Sequence, residues 1–312
     1  MGAKQAVKLT PKGRAAVQRV VHFFQSCLVH LEGSQAGKPF KLLPWQVNDF
    51  LGPVFGQLRP DGLRLIRHAH LDIAKKNGKS ALGSGLGLYL AFADGERGAR
   101  VAAAAGDKYQ ARVVFDDARK MVRASPVLSR ICEVQKDQII GPNDSVFEVI
   151  SADAETKHGP KYSGIIFDEI HTQPKTGRTL WDVITPGISS RDQPLIVSLT
   201  TAGKNKVHLW HDLRERSLAK MANPKQDRTF WGLVYAAPED ADIFSEATWR
   251  MANPSLGAAV KLDYLRDMAE QARKDPKTEA LFRWLHLNQP VDTTTRWITG
   301  EEWDQCVLSL AS

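Results

Sequence analysis

Between about residues 64 and 220 the chain alternates two hydrophobic rhythms. Short runs that are apolar throughout, or at every second position, predict strands; longer stretches with apolar residues three and four apart predict helices. Residues 67–73 alternate, with Ala69, Leu71 and Ile73 on one face and His68 and His70 on the other. That second face is more polar than a central parallel strand usually carries. Residues 81–93 place Leu82, Leu86, Leu90 and Ala93 on one helical stripe. Gly83, Gly85 and Gly87 weaken that helix by roughly 1 kcal/mol each relative to alanine, and close packing of helix on sheet is the expected offset. Residues 100–105, 145–151, 164–169 and 194–203 predict further strands. Residues 108–123 predict an amphipathic helix with Ala111, Val114, Ala118, Met121 and Val122 on its apolar face. A short helix broken near Pro186 is expected over 180–188. The alternation predicts an α/β fold: a mostly parallel sheet with helices on both faces.

Outside this stretch the pattern differs. Residues 14–31 carry Val17, Val20, Val21, Phe24 and Leu28 at helical spacing, with Cys27 beside the stripe. Beyond residue 222, residues 230–236 read as a strand, and 262–274 and 278–287 as two amphipathic helices. The expected organisation is an N-terminal segment (1–60), an α/β core (61–214), a small α+β subdomain (215–290) and a tail (291–312).

Composition adds little to this. The 312 residues are 43% hydrophobic and 25% charged, as in an ordinary globular protein, and the net charge of +7 suits a polyanionic partner without requiring one. Cys27, Cys132 and Cys306 are few, odd in number and far apart, which supports neither a disulfide framework nor a zinc site. The apolar stretch 81–93 is too short to span a bilayer, and residues 1–4 lack the apolar core of a signal peptide. The expectation is a soluble intracellular protein with no membrane partner.

Candidate chemistry begins at Lys75-Lys76-Asn77-Gly78-Lys79-Ser80. Gly78 permits close backbone approach to a phosphate, Lys79 can reach β- and γ-phosphates, and the Ser80 hydroxyl can hold Mg²⁺ at a helix N-terminus. The match to G-x-x-x-x-G-K-[ST] is partial, because Ile73 stands where the first glycine belongs; a surface turn is the competing reading. Asp168 and Glu169, delivered by an apolar run, raise the weight of the phosphate-loop reading. A nucleoside-triphosphate hydrolase needs one carboxylate for Mg²⁺ and one to orient water. Upstream, Trp45 and Gln46 could stack on an adenine and read its edge, or could be core and surface respectively. His68 and His70 lack a third metal ligand nearby.

The order of these motifs resembles the ATPase half of the large terminase subunit of tailed bacteriophages and prophages. The resemblance rests on 43–46, 75–80, 105–111, Ser125-Pro126, 167–171, 191–195, Thr200-Thr201-Ala202-Gly203 and 249–257, the last two being the most specific. It implies a P-loop ATPase of the ASCE type with a lid subdomain over 215–290. Trp45, Gln46, Lys75, Lys76, Asn77, Gly78, Lys79 and Ser80 would bind ATP, and Ser80 with Asp168 would hold Mg²⁺. Glu169 would be the catalytic base, with Lys79 and Asp168 completing the catalytic set; Thr200, Thr201 and Gly203 would lie in the coupling motif. It further implies double-stranded DNA, a portal protein and a small terminase subunit as partners, a pentameric ring, and the host cytoplasm. A neighbour in that ring would supply a charge in trans, with Lys157, Lys161, Arg178 and Arg191 as candidates. The family's nuclease domain needs an acidic cluster, and Asp304 is the last side-chain carboxylate, so that domain is expected to be missing. A DExH-type helicase, spelled by 168–171, and a non-catalytic DNA-binding scaffold are the alternatives.

Overall fold

The structure is a computed structural model; it describes residues 7–105, 108–151, 161–172, 180–182, 185–203 and 208–290. The tail 291–312, Lys157 and Arg178 fall outside them.

The described strands are β1 (His68–Ile73), β2 (Arg100–Ala105), β3 (Glu133–Val134), β4 (Gln138–Ile140), β5 (Val146–Ser151), β6 (Gly164–Phe167), β7 (Leu195–Thr200) and β8 (Phe230–Tyr235). They form one sheet in the order β3-β4-β5-β2-β6-β7-β1-β8. From β5 to β8 all neighbours run parallel, and the β3–β4 and β4–β5 pairs are antiparallel. One strand, β7, therefore separates β1 from β6 and pairs with both. This is the expected mostly parallel sheet.

The helices are α1 (Pro11–Cys27), α2 (Gly52–Gly56, entered through a π-helical turn at Gln46–Leu51), α3 (Lys79–Phe92), α4 (Lys108–Ala124), α5 (Leu128–Ile131), α6 (Leu209–Ala222), α7 (Glu246–Ala252), α8 (Leu262–Ala272) and α9 (Pro276–Leu287). Where a short helix was expected near Pro186, the chain forms a 3₁₀ helix, Thr185–Ser190. Among the described residues no helix is long and apolar enough to cross a membrane.

The glycines of α3 are explained by contact. A Cβ on Gly83 would lie 2.6 Å from Leu199 of β7, and one on Gly85 or Gly87 would collide with the ring of Phe24 or Phe147. The helix therefore approaches the sheet and α1 more closely than alanines would allow, and the gained packing offsets the weak propensity.

The polar face of β1 is buried like its apolar one. His68 Nε2 and His70 Nδ1 lie 3.0 and 2.8 Å from Ser198 Oγ on β7. Asp72 accepts from Arg214 Nη1 (2.7 Å), Trp210 Nε1 (3.2 Å) and Asn288 Nδ2 (2.8 Å). Polar side chains are tolerated on a central strand here because β7, α6 and the residue that ends α9 bring them partners.

β8 was expected in the second subdomain. It instead pairs with β1 along its whole length, from His68↔Phe230 to Ile73↔Tyr235, and α6 packs on it, fitted by Gly232 where a Cβ would collide with Ser217. A six-residue apolar run reads the same whichever sheet it joins, so the sequence could not name its partner. Helices α7, α8 and α9 have a small core of their own around Trp249, Val260, Leu265 and Phe282.

Candidate functional site

The segment joining β1 to α3 turns sharply at the carboxyl edge of the sheet. Gly78, at φ +86, caps α3 in a left-handed conformation that a Cβ would strain. Lys76 is also left-handed, at φ +66, and its ammonium sits 3.8 Å over the ring of Tyr264 on α8. The cleft in front of this segment has a volume of about 360 Å³ and is lined by Lys75, Lys76, Gly78, Lys79, Ser80, Ala81 and Glu169. The first turn of α3 opens onto it, so amide dipoles favour an anion there.

Lys79 is buried despite its charge. Its Nζ donates to Thr201 Oγ1 (2.8 Å) and Ile73 O (3.3 Å) and stands 4.0 Å from Glu169 Oε1. Ser80 Oγ donates to Asp168 Oδ2 at 2.7 Å, and Asp168 Oδ1 accepts from the Glu169 amide at 3.0 Å. Glu169 itself is left-handed, at φ +49, a strained conformation for a residue with a Cβ. Its Oε2 lies 3.0 Å from His171 Nδ1, and that nitrogen is 3.2 Å from Thr200 Oγ1.

The two adjacent carboxylates titrate in opposite directions. Burial, reinforced by the charge of Glu169, raises the Asp168 carboxyl, and Lys79 and the Ser80 hydroxyl only partly reverse this. Burial also acts upward on Glu169, but the charge of Lys79, the His171 hydrogen bond and the charges of His171 and Lys75 outweigh it and hold Glu169 low. Asp168 is therefore the first of the pair to take a proton as the pH falls.

Gln46 lies beside the segment: a Cβ on Gly78 would be 3.9 Å from its Nε2, and its Oε1 accepts from the Leu43 amide at 2.8 Å. Asn77 turns away from the cleft into a buried network, and the Lys75 amide donates to Leu285 O at the end of α9 (2.9 Å). Gly203 packs on Trp210 rather than facing the cleft.

Trp45 is turned into the protein. Its ring is buried, set edge-on to Tyr235 at 5.5 Å, and its Nε1 donates to Ser255 Oγ at 3.0 Å. The indole is occupied on its apolar and polar sides by the protein itself. Lys161 and Arg191 lie at the amino edge of the sheet, where Arg191 Nε donates to Lys161 O (2.9 Å) and its guanidinium meets Glu96 at 3.5 Å.

Sequence reasoning gave His171, Asn253 and Ser255 no role, although all three fall inside stretches singled out as motifs. Asp72, Arg214 and Asn288 carried no local signal, because their partners lie up to 216 positions away.

The parallel sheet, the buried loop lysine, the hydroxyl paired with a strand-end carboxylate and the neighbouring glutamate define the class: an α/β, P-loop ATPase-type fold. The family model described as "Terminase large subunit, ATPase domain" matches residues 44–218. The chain belongs to the terminase large subunit family. It is 31% identical over 296 residues to the terminase large subunit of Enterobacteria phage HK97, covering 93% of this chain and 56% of that protein. It is 26% identical over 247 residues to that of Lactococcus phage SK1, covering 77% and 45%. The crystal structure of the HK97 large terminase superposes with a TM-score of 0.76 at 29% identity, over 93% of this chain and 58% of that one. The ATPase domain of the Thermus phage P74-26 large terminase, at 16% identity and TM-score 0.50, shares the fold. The chain spans about half the length of the relatives it matches.

A second family model, "Terminase large subunit, endonuclease domain", matches residues 224–312. This corrects the expectation that the nuclease portion is missing. That expectation rested on the scarcity of carboxylates after Trp303. The match opens between α6 and β8, so it takes in the segment expected as lid and tail, including a strand built into the ATPase sheet.

Proposed function

We propose that this chain is an ATP-hydrolysing motor subunit that drives double-stranded DNA into a procapsid. The observation that carries the reading is the meeting of Lys79, Ser80, Asp168 and Glu169, from two non-adjacent strands, around a cleft at the N-terminus of α3. Lys79 binds the β- and γ-phosphates together with the Gly78 backbone. Ser80 and Asp168 are a converging pair of hard oxygen donors, suited to Mg²⁺, and the upward push on Asp168 is the kind a cation reverses. The metal, when bound, neutralises charge on the phosphates. Glu169, kept ionised by Lys79 and His171, orients and deprotonates the attacking water. Thr200 and Thr201 report on the site through their contacts with His171 and Lys79. Helices α7–α9 act as the lid.

Family membership supports the wider reading: DNA, portal protein and small terminase subunit as partners, a ring of subunits that completes each site in trans, and action in the host cytoplasm. The net positive charge suits sequence-tolerant contact with a phosphate backbone. The test is Glu169→Gln. It should bind ATP as well as the unsubstituted protein does and lose about 10²–10⁴-fold in kcat, the usual worth of a general base. Turnover at the unsubstituted rate would refute the assignment.

A further inference from the structure

The outer side of the phosphate loop is gripped by the helical subdomain through a closed set of buried polar groups. Asn77 Nδ2 donates to Asn253 Oδ1 at 2.8 Å, and Asn77 Oδ1 accepts from the Ser255 amide at 3.1 Å. Ser255 Oγ donates to the Asn77 carbonyl at 3.1 Å while accepting from Trp45 Nε1 at 3.0 Å. Asn253 uses both amide protons inside the subdomain, on Trp249 O (2.9 Å) and His286 O (2.7 Å). Asn77, Asn253 and Ser255 are each 1% exposed. Such a network holds one geometry, because moving any member strands several buried groups at once.

One of these bonds sets the orientation of a loop peptide. A trans peptide points its C=O and N–H in opposite directions. With the Asn77 carbonyl turned to Ser255, the Gly78 N–H points the other way, and Gly78 lines the cleft. The Leu285 carbonyl holds the Lys75 amide on the same outer side. The Gly78 amide is thus oriented by Ser255, 178 positions beyond Asn77 in the chain.

We propose that Asn253 and Ser255 are positioning residues for the nucleotide phosphates: they aim the Asn77–Gly78 peptide from the helical subdomain, so that docking of α7–α9 and nucleotide binding are one coupled equilibrium. The inference rests on the phosphate-loop reading of the cleft. Coupling of this kind is reciprocal, so nucleotide must also tighten the helical subdomain that the cleft residues do not include.

The test uses Ser255→Ala and Asn253→Asp, with hydrogen exchange of amides 74–80 and 249–257 and titration with ADP. In nucleotide-free protein, both variants should exchange the loop amides faster than the unsubstituted chain. Both should weaken ADP binding by about 10-fold or more: Ser255→Ala removes the bond to the Asn77 carbonyl and the one from Trp45 Nε1, and Asn253→Asp removes both donors that seat Asn253 on Trp249 O and His286 O. The same factor should appear in KM for ATP, with kcat at saturation within about twofold. In the unsubstituted protein, saturating ADP should slow exchange across 249–257. Folded variants with unchanged loop exchange and unchanged ADP affinity would overturn the proposal. If neither variant folds, protection of 249–257 by ADP in the unsubstituted chain decides, and its absence overturns the coupling. An unsubstituted protein that binds no nucleotide refutes the functional reading instead, while faster loop exchange in the variants would still support the clamp.

Discussion

The two layers that flank β1 are equally buried and built from opposite materials. Toward α3, Ala69, Leu71 and Ile73 meet Leu82 and Leu86 in an apolar core, with glycines drawing the helix in. Toward α6, His68, His70 and Asp72 meet Ser198, Trp210, Arg214 and Asn288 through directed hydrogen bonds. Apolar packing is non-directional and absorbs small shifts by repacking. A buried polar layer is intact or broken, because each lost partner leaves a desolvated group behind. The phosphate loop leaves β1 between the two. The α3 layer holds the groups that reach into the cleft, and the polar layer ties the loop strand to helices remote in sequence. Asn288 shows the tie most directly: in a left-handed conformation at the end of α9, it donates to Asp72 of β1 and to Tyr235 O of β8 and accepts from the Ala202 amide.

The largest difference between the layers should appear on breaking the Asp72–Arg214 pair, whose members are 0% and 7% exposed. Arg214→Met strands a buried carboxylate and should lower stability by about 3–5 kcal/mol. Adding Asp72→Asn should recover part of that loss, since the uncompensated charge is gone. Leu86→Ala, on the other side, should cost about 2–5 kcal/mol, and no second polar substitution should rescue it. Urea unfolding midpoints at constant m-value give the comparison. An Arg214→Met loss below about 1 kcal/mol would mean that the polar layer is not the discrete contact described above.

The sequence revealed the two layers unequally for the same physical reason. Apolar periodicity is a local signal, so β1, β2, β5, β6, β7, β8, α3, α4 and the mostly parallel sheet were legible from spacing, while the two- and three-residue strands β3 and β4 are too short to show a period. The glycines of α3 announced close packing before its partners were known. Lys79, Ser80, Asp168 and Glu169 were legible because their chemistry is tied to short motifs. The polar layer was not, because Asp72, Arg214 and Asn288 mean nothing until the fold brings them together, and each alone looks like a surface residue. Trp45 shows the converse: an aromatic beside a glutamine suggested a base clamp, and the indole went to Ser255 and Tyr235. The partner of β8 was hidden too, since a strand's sequence encodes burial and not its neighbour.

Acid should separate the layers by a smaller amount. Burial lowers the His70 pKa to about 4, with Arg214 and Arg216 assisting and Asp72 opposing. Burial, with His70 and Arg216, lowers His68 well below its usual value, and burial with Lys76 and Lys75 lowers His286 to about 4. A histidine depressed in the folded state contributes fully above its unfolded pKa near 6.5 and loses that contribution as the pH falls toward 4. For His70 alone the loss by pH 5 is about 2 kcal/mol. The leucines and glycines of the α3 face do not titrate. Between pH 7 and 5, amide protection in α6 and β8 should therefore fall before protection in α3. Uniform loss across the sheet, or no loss by pH 5, would remove the distinction.

The smallest effect is expected where the apolar core and the network around the loop share one side chain. The Trp45 ring packs in the apolar core, while its Nε1 holds Ser255 Oγ in the network around the loop. Trp45→Phe keeps an aromatic ring and removes the donor, leaving Ser255 able to donate to the Asn77 carbonyl. One net hydrogen bond is worth about 1 kcal/mol, which in a chain of this size lowers Tm by about 2–4 °C. With the ring buried as support for the loop, the substitution should weaken ATP and inorganic tripolyphosphate by the same factor, about two- to fivefold. Competition binding of the two ligands at one magnesium concentration measures it. If ATP alone weakens and tripolyphosphate does not, the ring contacts adenine, and Trp45 is part of the binding surface rather than its support.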